Sequence, residues 1–146
     1  MSLKFTTVLI VVAAFAAGFG VRGLTTPSVT VHAAAANRIF EIRTYVAPAG
    51  KLEALKTRFR DHTIRLFDKQ GMKSVGYWVP TDAPLKDNTL IYILSHESRE
   101  AATKSWAAFR ADPEWVKAKA DSEKDGPLTT KVESVFAEPT DFSAIK

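Results

Sequence analysis

From Arg38 onward the chain switches between two hydrophobic periods. Arg38 to Val46 (RIFEIRTYV) is dense in β-branched and aromatic residues, which predicts a strand. Its alternation places Phe40, Ile42, Thr44 and Val46 on one face and Ile39, Glu41, Arg43 and Tyr45 on the other. Pro48 and Gly50 end it. Between Lys51 and Gln70 the period lengthens. Leu52, Leu55, Phe59, His62 and Leu66 recur at helical spacing, Ile64 and Phe67 flank them, and Gly71 signals a stop. Met72 to Pro80 predicts a second strand and Thr89 to His96 a third. The third is almost continuously apolar, as in a central strand covered on both faces. The short loop Thr81 to Asp87 between them predicts an antiparallel hairpin. Ser98 fits the cap of a helix with Ala102, Trp106 and Phe109 on its apolar side. Asp112-Pro113 punctuates that helix, and Trp115 to Lys124 gives a further helical stretch. Leu128 to Phe136 predicts the fourth strand, followed by a tail, Glu138 to Lys146.

The order strand–helix–strand–strand–helix–strand is that of a ferredoxin-like split βαβ domain. This α+β class is a four-stranded antiparallel sheet with its helices on one face. The uncovered face then needs a partner. Ile39, Tyr45 and one side of the third strand are expected there, and apolar sheet of that extent implies docking against another surface. Two such sheets facing each other make a dimeric α/β barrel, so a homodimer is expected.

Four stretches carry a family likeness: RIFEIRTY (38–45), LFDKQGMKSVGYW (66–78), WAAFRADPEW (106–115) and VESVFAEPTDFS (132–143). Together they resemble the NIPSNAP family, over essentially the whole region from Arg38 to Ser143. The resemblance implies the dimeric α/β-barrel fold. It implies no catalytic motif, because the activity of that family is generally unassigned.

The region before Asn37 reads differently. Lys4 precedes an uncharged apolar run from Phe5 to Val21, and Arg22 follows it. This is the pattern of export targeting. Val31-His32-Ala33 and Ala33-Ala34-Ala35 supply small residues for cleavage. The run also reaches the lower length for spanning a bilayer. Two expectations therefore stand side by side: a cleaved signal peptide with a periplasmic or extracellular domain, or an anchor that tethers the domain to the cytoplasmic membrane. Residues 1–36 are read as leader and linker, and residues 37–146 as one domain.

Composition narrows the chemistry. The 146 residues are 46% hydrophobic and 25% charged, so the domain can bury a core. Lys4 and Arg22 account for two of the four net positive charges, and no basic block remains to engage nucleic acid. The chain has no cysteine, which excludes disulfides and thiolate chemistry. No two histidines have metal-ligand spacing, and no phosphate loop, dinucleotide fingerprint or Gly-x-Ser-x-Gly occurs. Neither a metal nor another cofactor is expected.

Glu41, Arg43, Tyr45, Trp78 and His96 are the candidate pocket residues. If the face bearing Glu41, Arg43 and Tyr45 lines a dimer cleft, Arg43 offers a fork of donors and Glu41 a base. The plainer expectation is that Glu41 and Arg43 pair across strands or across the dimer. His62 is expected in the core or at its boundary, and His96 at the surface end of a strand. Trp106 and Phe109 are expected in the core. Three functions suit this pattern: binding of a small hydrophobic or anionic ligand, a cofactor-independent monooxygenase of the dimeric-barrel kind, and a membrane-tethered interaction module.

Overall fold

The computed structural model describes residues 38–146; the leader, with its two readings, lies outside them. Strand β1 (Ile39–Val46) pairs antiparallel with β3 (Thr89–His96) on one side and β4 (Lys131–Ala137) on the other. Strand β2 (Lys73–Trp78) pairs antiparallel with β3, giving the order β2-β3-β1-β4. This is the ferredoxin-like arrangement, an open sheet in which β1 and β3 are central. The second and fourth strands are shorter than their sequence patterns. Leu128 is fully buried, yet the β4 ladder begins only at Lys131.

The first helical rod runs from Leu52 to Lys69 and is not uniform. Helix α1 (Leu52–Arg58) passes into a π-turn (Phe59–Thr63) and then into α2 (Ile64–Lys69). The amide of Ile64 reaches back to the carbonyl of Phe59, one residue further than in an α-helix. The wider turn shifts the helical phase. Thr63, at 1% exposure, is buried, whereas His62 is on the surface, contrary to expectation. The rod ends at Gly71, whose φ of 77° closes the turn while Met72 N–H bonds Phe67 O at 2.9 Å.

Helices α3 (Arg99–Ala111) and α4 (Pro113–Ser122) meet at Asp112. Ser98 caps α3 by accepting the Ala101 amide at 3.1 Å. Asp112 caps α4 by accepting from Glu114 N–H at 2.9 Å, with Pro113 in the first helical position. The punctuation expected at Asp112-Pro113 is thus a cap shared between two helices.

The helices cover the face bearing Glu41, Arg43 and Tyr45, so the expectation that Tyr45 lies on the open face is overturned. Register explains the choice. The cross-strand partners on that side include Tyr92, Leu94, Leu90 and Tyr77, the larger apolar set. Tyr92 is fully buried, with Tyr45 and Phe59 edge-on at 5.2 and 5.1 Å between ring centroids. Phe67 and Phe109 complete this core, and Trp106 packs against it, as expected. The open face carries Ile42, Val135, Ile91, Ile93 and Trp78, and along the middle of β3 only the helix side is fully covered. Pro139, Ser143 and Ile145 of the tail lie beside Phe40 and Ile42 at one end of that face.

Candidate functional site

A single carboxylate organises the space between sheet and helices. Glu41 lies at the start of β1, 1% exposed, and accepts from four side chains. Arg43 Nη1 donates to Oε1 at 2.5 Å and Ser134 Oγ to the same oxygen at 2.6 Å. Trp106 Nε1 donates to Oε2 at 2.6 Å, and His96 Nε2 lies 3.1 Å from that oxygen. An ionised carboxylate only accepts, so His96 carries its proton on Nε2. Burial alone would raise the Glu41 pKa, but the bonds from His96, Ser134, Trp106 and Arg43 outweigh it and hold the carboxyl down to about 2. With its oxygens occupied and its charge stabilised, Glu41 is a poor proton acceptor near neutral pH. The ion pair with Arg43 runs along one strand, two residues apart, and neither across strands nor across a dimer.

His96 is 1% exposed, so its expected surface position is corrected. It belongs to the helix-facing side of β3 and pairs in register with Ile39, where Glu41 can reach it. Three buried polar atoms near this hub, Arg43 Nε, His96 Nδ1 and Tyr92 Oη, have no hydrogen-bond partner among the described residues. Burial pushes the Tyr92 phenol well above its ordinary pKa. The Arg43 guanidinium stacks on the Trp106 ring at 4.3 Å, and its Nη2 donates to Tyr45 Oη at 3.4 Å.

Tyr45 connects the hub to a hollow of about 180 Å³ between sheet and helices. Val132 and Tyr45 wall it from the sheet; Phe59, Thr63, Phe109 and Trp115 wall it from the helices. The π-turn places Phe59 and Thr63 on this wall together, one at each end of its five residues. Arg58 completes the wall. Its Nη1 donates to Glu123 Oε1 at 2.7 Å and to Ser122 Oγ at 3.3 Å, and its guanidinium lies 5.2 Å from the centre of the Trp115 ring. Sequence reasoning missed Arg58 and Glu123. The available signal was a charged residue three positions after Leu55, on the apolar stripe of the helix.

The NIPSNAP family model matches residues 40–144. The chain belongs to the NIPSNAP family. A NIPSNAP family protein of unknown function from Agrobacterium tumefaciens is 24% identical, with a TM-score of 0.66, over 76% of this chain and 96% of that one. More distant structures share the fold alone. A cofactor-independent oxygenase from Streptomyces nogalater, 15% identical, matches with a TM-score of 0.50 over 76% of this chain and all of that one. A monooxygenase from Streptomyces coelicolor, solved with the ligand nanaomycin D, is 14% identical, with a TM-score of 0.51 over 75% of this chain and 94% of that one. No curated protein matches the sequence.

Within this NIPSNAP domain the five candidate pocket residues divide. Glu41, Arg43 and His96 form the hub, and Tyr45 bridges it to the hollow. Trp78 stands apart at the end of edge strand β2, 49% exposed. It borders a separate groove of about 230 Å³ with Lys56, Arg60 and Ile64. Arg43, Tyr45 and Trp78 therefore do not bound one common cleft.

Proposed function

We propose that this NIPSNAP protein is an exported homodimer that binds a small, largely apolar molecule in the hollow beside Tyr45, without turning it over. The observation that carries this reading is the hollow itself, walled by aromatic rings yet bordered by a buried arginine. A mostly apolar cavity with a few placed polar groups is the usual form of a small-molecule site. The bonding of Glu41 speaks against a catalytic base nearby. Ile42, Val135 and Trp78 on the open sheet face support the dimer, and the run from Phe5 to Val21 supports export.

The test is calorimetric titration with single-ring aromatic probes, on the native chain and on Val132→Phe. Val132 is 44% exposed, so a larger side chain can enter the hollow without straining the core. Saturable binding that Val132→Phe abolishes is expected. Binding unchanged by that substitution would remove the hollow as the site. Cell fractionation that leaves the protein in the cytoplasm would remove export.

A second reading, a cofactor-independent oxygenase, draws on the Streptomyces nogalater neighbour, whose name states that activity. Tyr45, which lines the hollow and whose hydroxyl accepts from Arg43, is what favours it here. Oxygen uptake with a phenolic substrate, lost in Tyr45→Phe, would support this reading over simple binding.

A further inference from the structure

We infer that the hollow selects a single-ring aromatic carboxylate, with Arg58 and Tyr45 as the donors that read its acid group. This rests on the small-molecule reading above and names the class of ligand.

Charge comes first. The Arg58 side chain is 3% exposed. Its Nη1 is engaged by Glu123 and Ser122, but its Nε has no partner among the described residues. A buried donor left unpaired is costly and uncommon, more so than an acceptor with a spare lone pair. Glu123 does not neutralise the site, because its other oxygen accepts from Lys119 Nζ at 2.8 Å. Two cations thus share one carboxylate at the wall, leaving one positive charge in excess.

The hydroxyls agree. Arg43 donates to Tyr45 Oη, which uses a lone pair and leaves the proton of Tyr45 for another acceptor. Thr63 Oγ1 spends its own proton on the Arg58 carbonyl at 3.2 Å. The polar edge of the hollow carries Arg58 and Lys119 against the single carboxylate of Glu123, so an occupant with acceptor oxygens and negative charge is favoured.

Shape and size define the rest. Phe59, Phe67, Phe109 and Trp115 present rings to the hollow, and aromatic pairs favour edge-to-face and offset contacts. A volume of about 180 Å³ equals about six water molecules at ~30 Å³ each. It falls below the ~300 Å³ at which drug-sized pockets begin, which fits one ring with one acid group. An amine of the same size would meet Arg58 with like charge.

Calorimetry on the full chain compares benzoate, benzyl alcohol and benzylamine. The expected result is benzoate at least tenfold tighter than benzyl alcohol, with no binding of benzylamine. Arg58→Gln and Tyr45→Phe should each cut the ratio of benzoate to benzyl alcohol affinity at least fivefold. Should Arg58→Gln fail to fold, Tyr45→Phe, which removes one hydroxyl, carries the comparison. Equal affinity for benzoate and benzyl alcohol would overturn the acid selectivity and leave ligand binding standing. Benzoate binding that persists in Val132→Phe, or no binding of any probe, would overturn both.

Discussion

The indole of Trp78 lies so close over Gly76 that a Cβ on Gly76 would stand 2.6 Å from the ring. Gly76 sits just past the irregularity in the β2–β3 ladder, with no positive φ to require glycine. Space for the indole is the reason for it. Gly76→Ala should therefore cost about 1 kcal/mol, the low end for overpacking, because a half-exposed ring can swing aside. In a Trp78→Ala background the same substitution should cost nothing measurable. Urea denaturation of the four-member cycle checks it, and an equal cost in both backgrounds would contradict the contact.

Glu41 sets a pH dependence. Its carboxyl is held at about 2 in the folded domain, against an ordinary value of 4.5. The folded pKa is the lower one, so the stabilisation is fully present above the unfolded value and is lost as pH falls through the folded one. Its size is on the order of 3 kcal/mol. Glu41→Gln should reduce stability by about that amount at neutral pH, because Arg43 is left buried without its counter-charge. The gap between mutant and native protein should then narrow on acidification from about pH 5 to pH 2. Parallel stability curves would show that Glu41 does not carry this dependence.

The π-turn decides which neighbour faces inward. Thr63→Val removes the bond to the Arg58 carbonyl at nearly constant volume and should cost about 1 kcal/mol. His62→Ala, one residue earlier and exposed, should stay within about 0.5 kcal/mol. Chemical denaturation of both variants distinguishes the registers: a regular α-helix would reverse the ranking.

Val135 is 60% exposed on the open face, opposite Ile42 in the β1–β4 pairing. Val135→Glu should leave the folded monomer intact while placing charge in the proposed dimer interface. Light scattering should report a dimer for the native protein and half that mass for the variant. A native monomer at micromolar concentration would contradict the dimer.

Element order is legible in the sequence because each strand and helix carries its own period. The hairpin, the Ser98 cap and the break at Asp112-Pro113 are local features with local signals. The covered face is not legible, because alternation within β1 defines two faces without ranking them. Tyr92, Leu94 and Tyr77 rank them, and they join that face only through register. The burial of His96 is hidden for a related reason: it depends on Glu41, 55 residues away in sequence. Thr63 and His62 exchange places because a helical stripe assumes a constant turn. Arg58 gives little sign of its role because its partners, Ser122 and Glu123, lie at the far end of α4.

The bonding of Glu41 bears finally on how the domain assembles. Its donors come from β1, β3, β4 and α3, so no partial structure satisfies it. A chain that has built β1 and β3 but not β4 lacks the Ser134 bond; one without α3 lacks the indole of Trp106. An intermediate that buried this carboxylate before all four donors were in place would hold an uncompensated charge, which is strongly unfavourable. The carboxylate thus penalises states that bury it early and favours joint formation of sheet and helices.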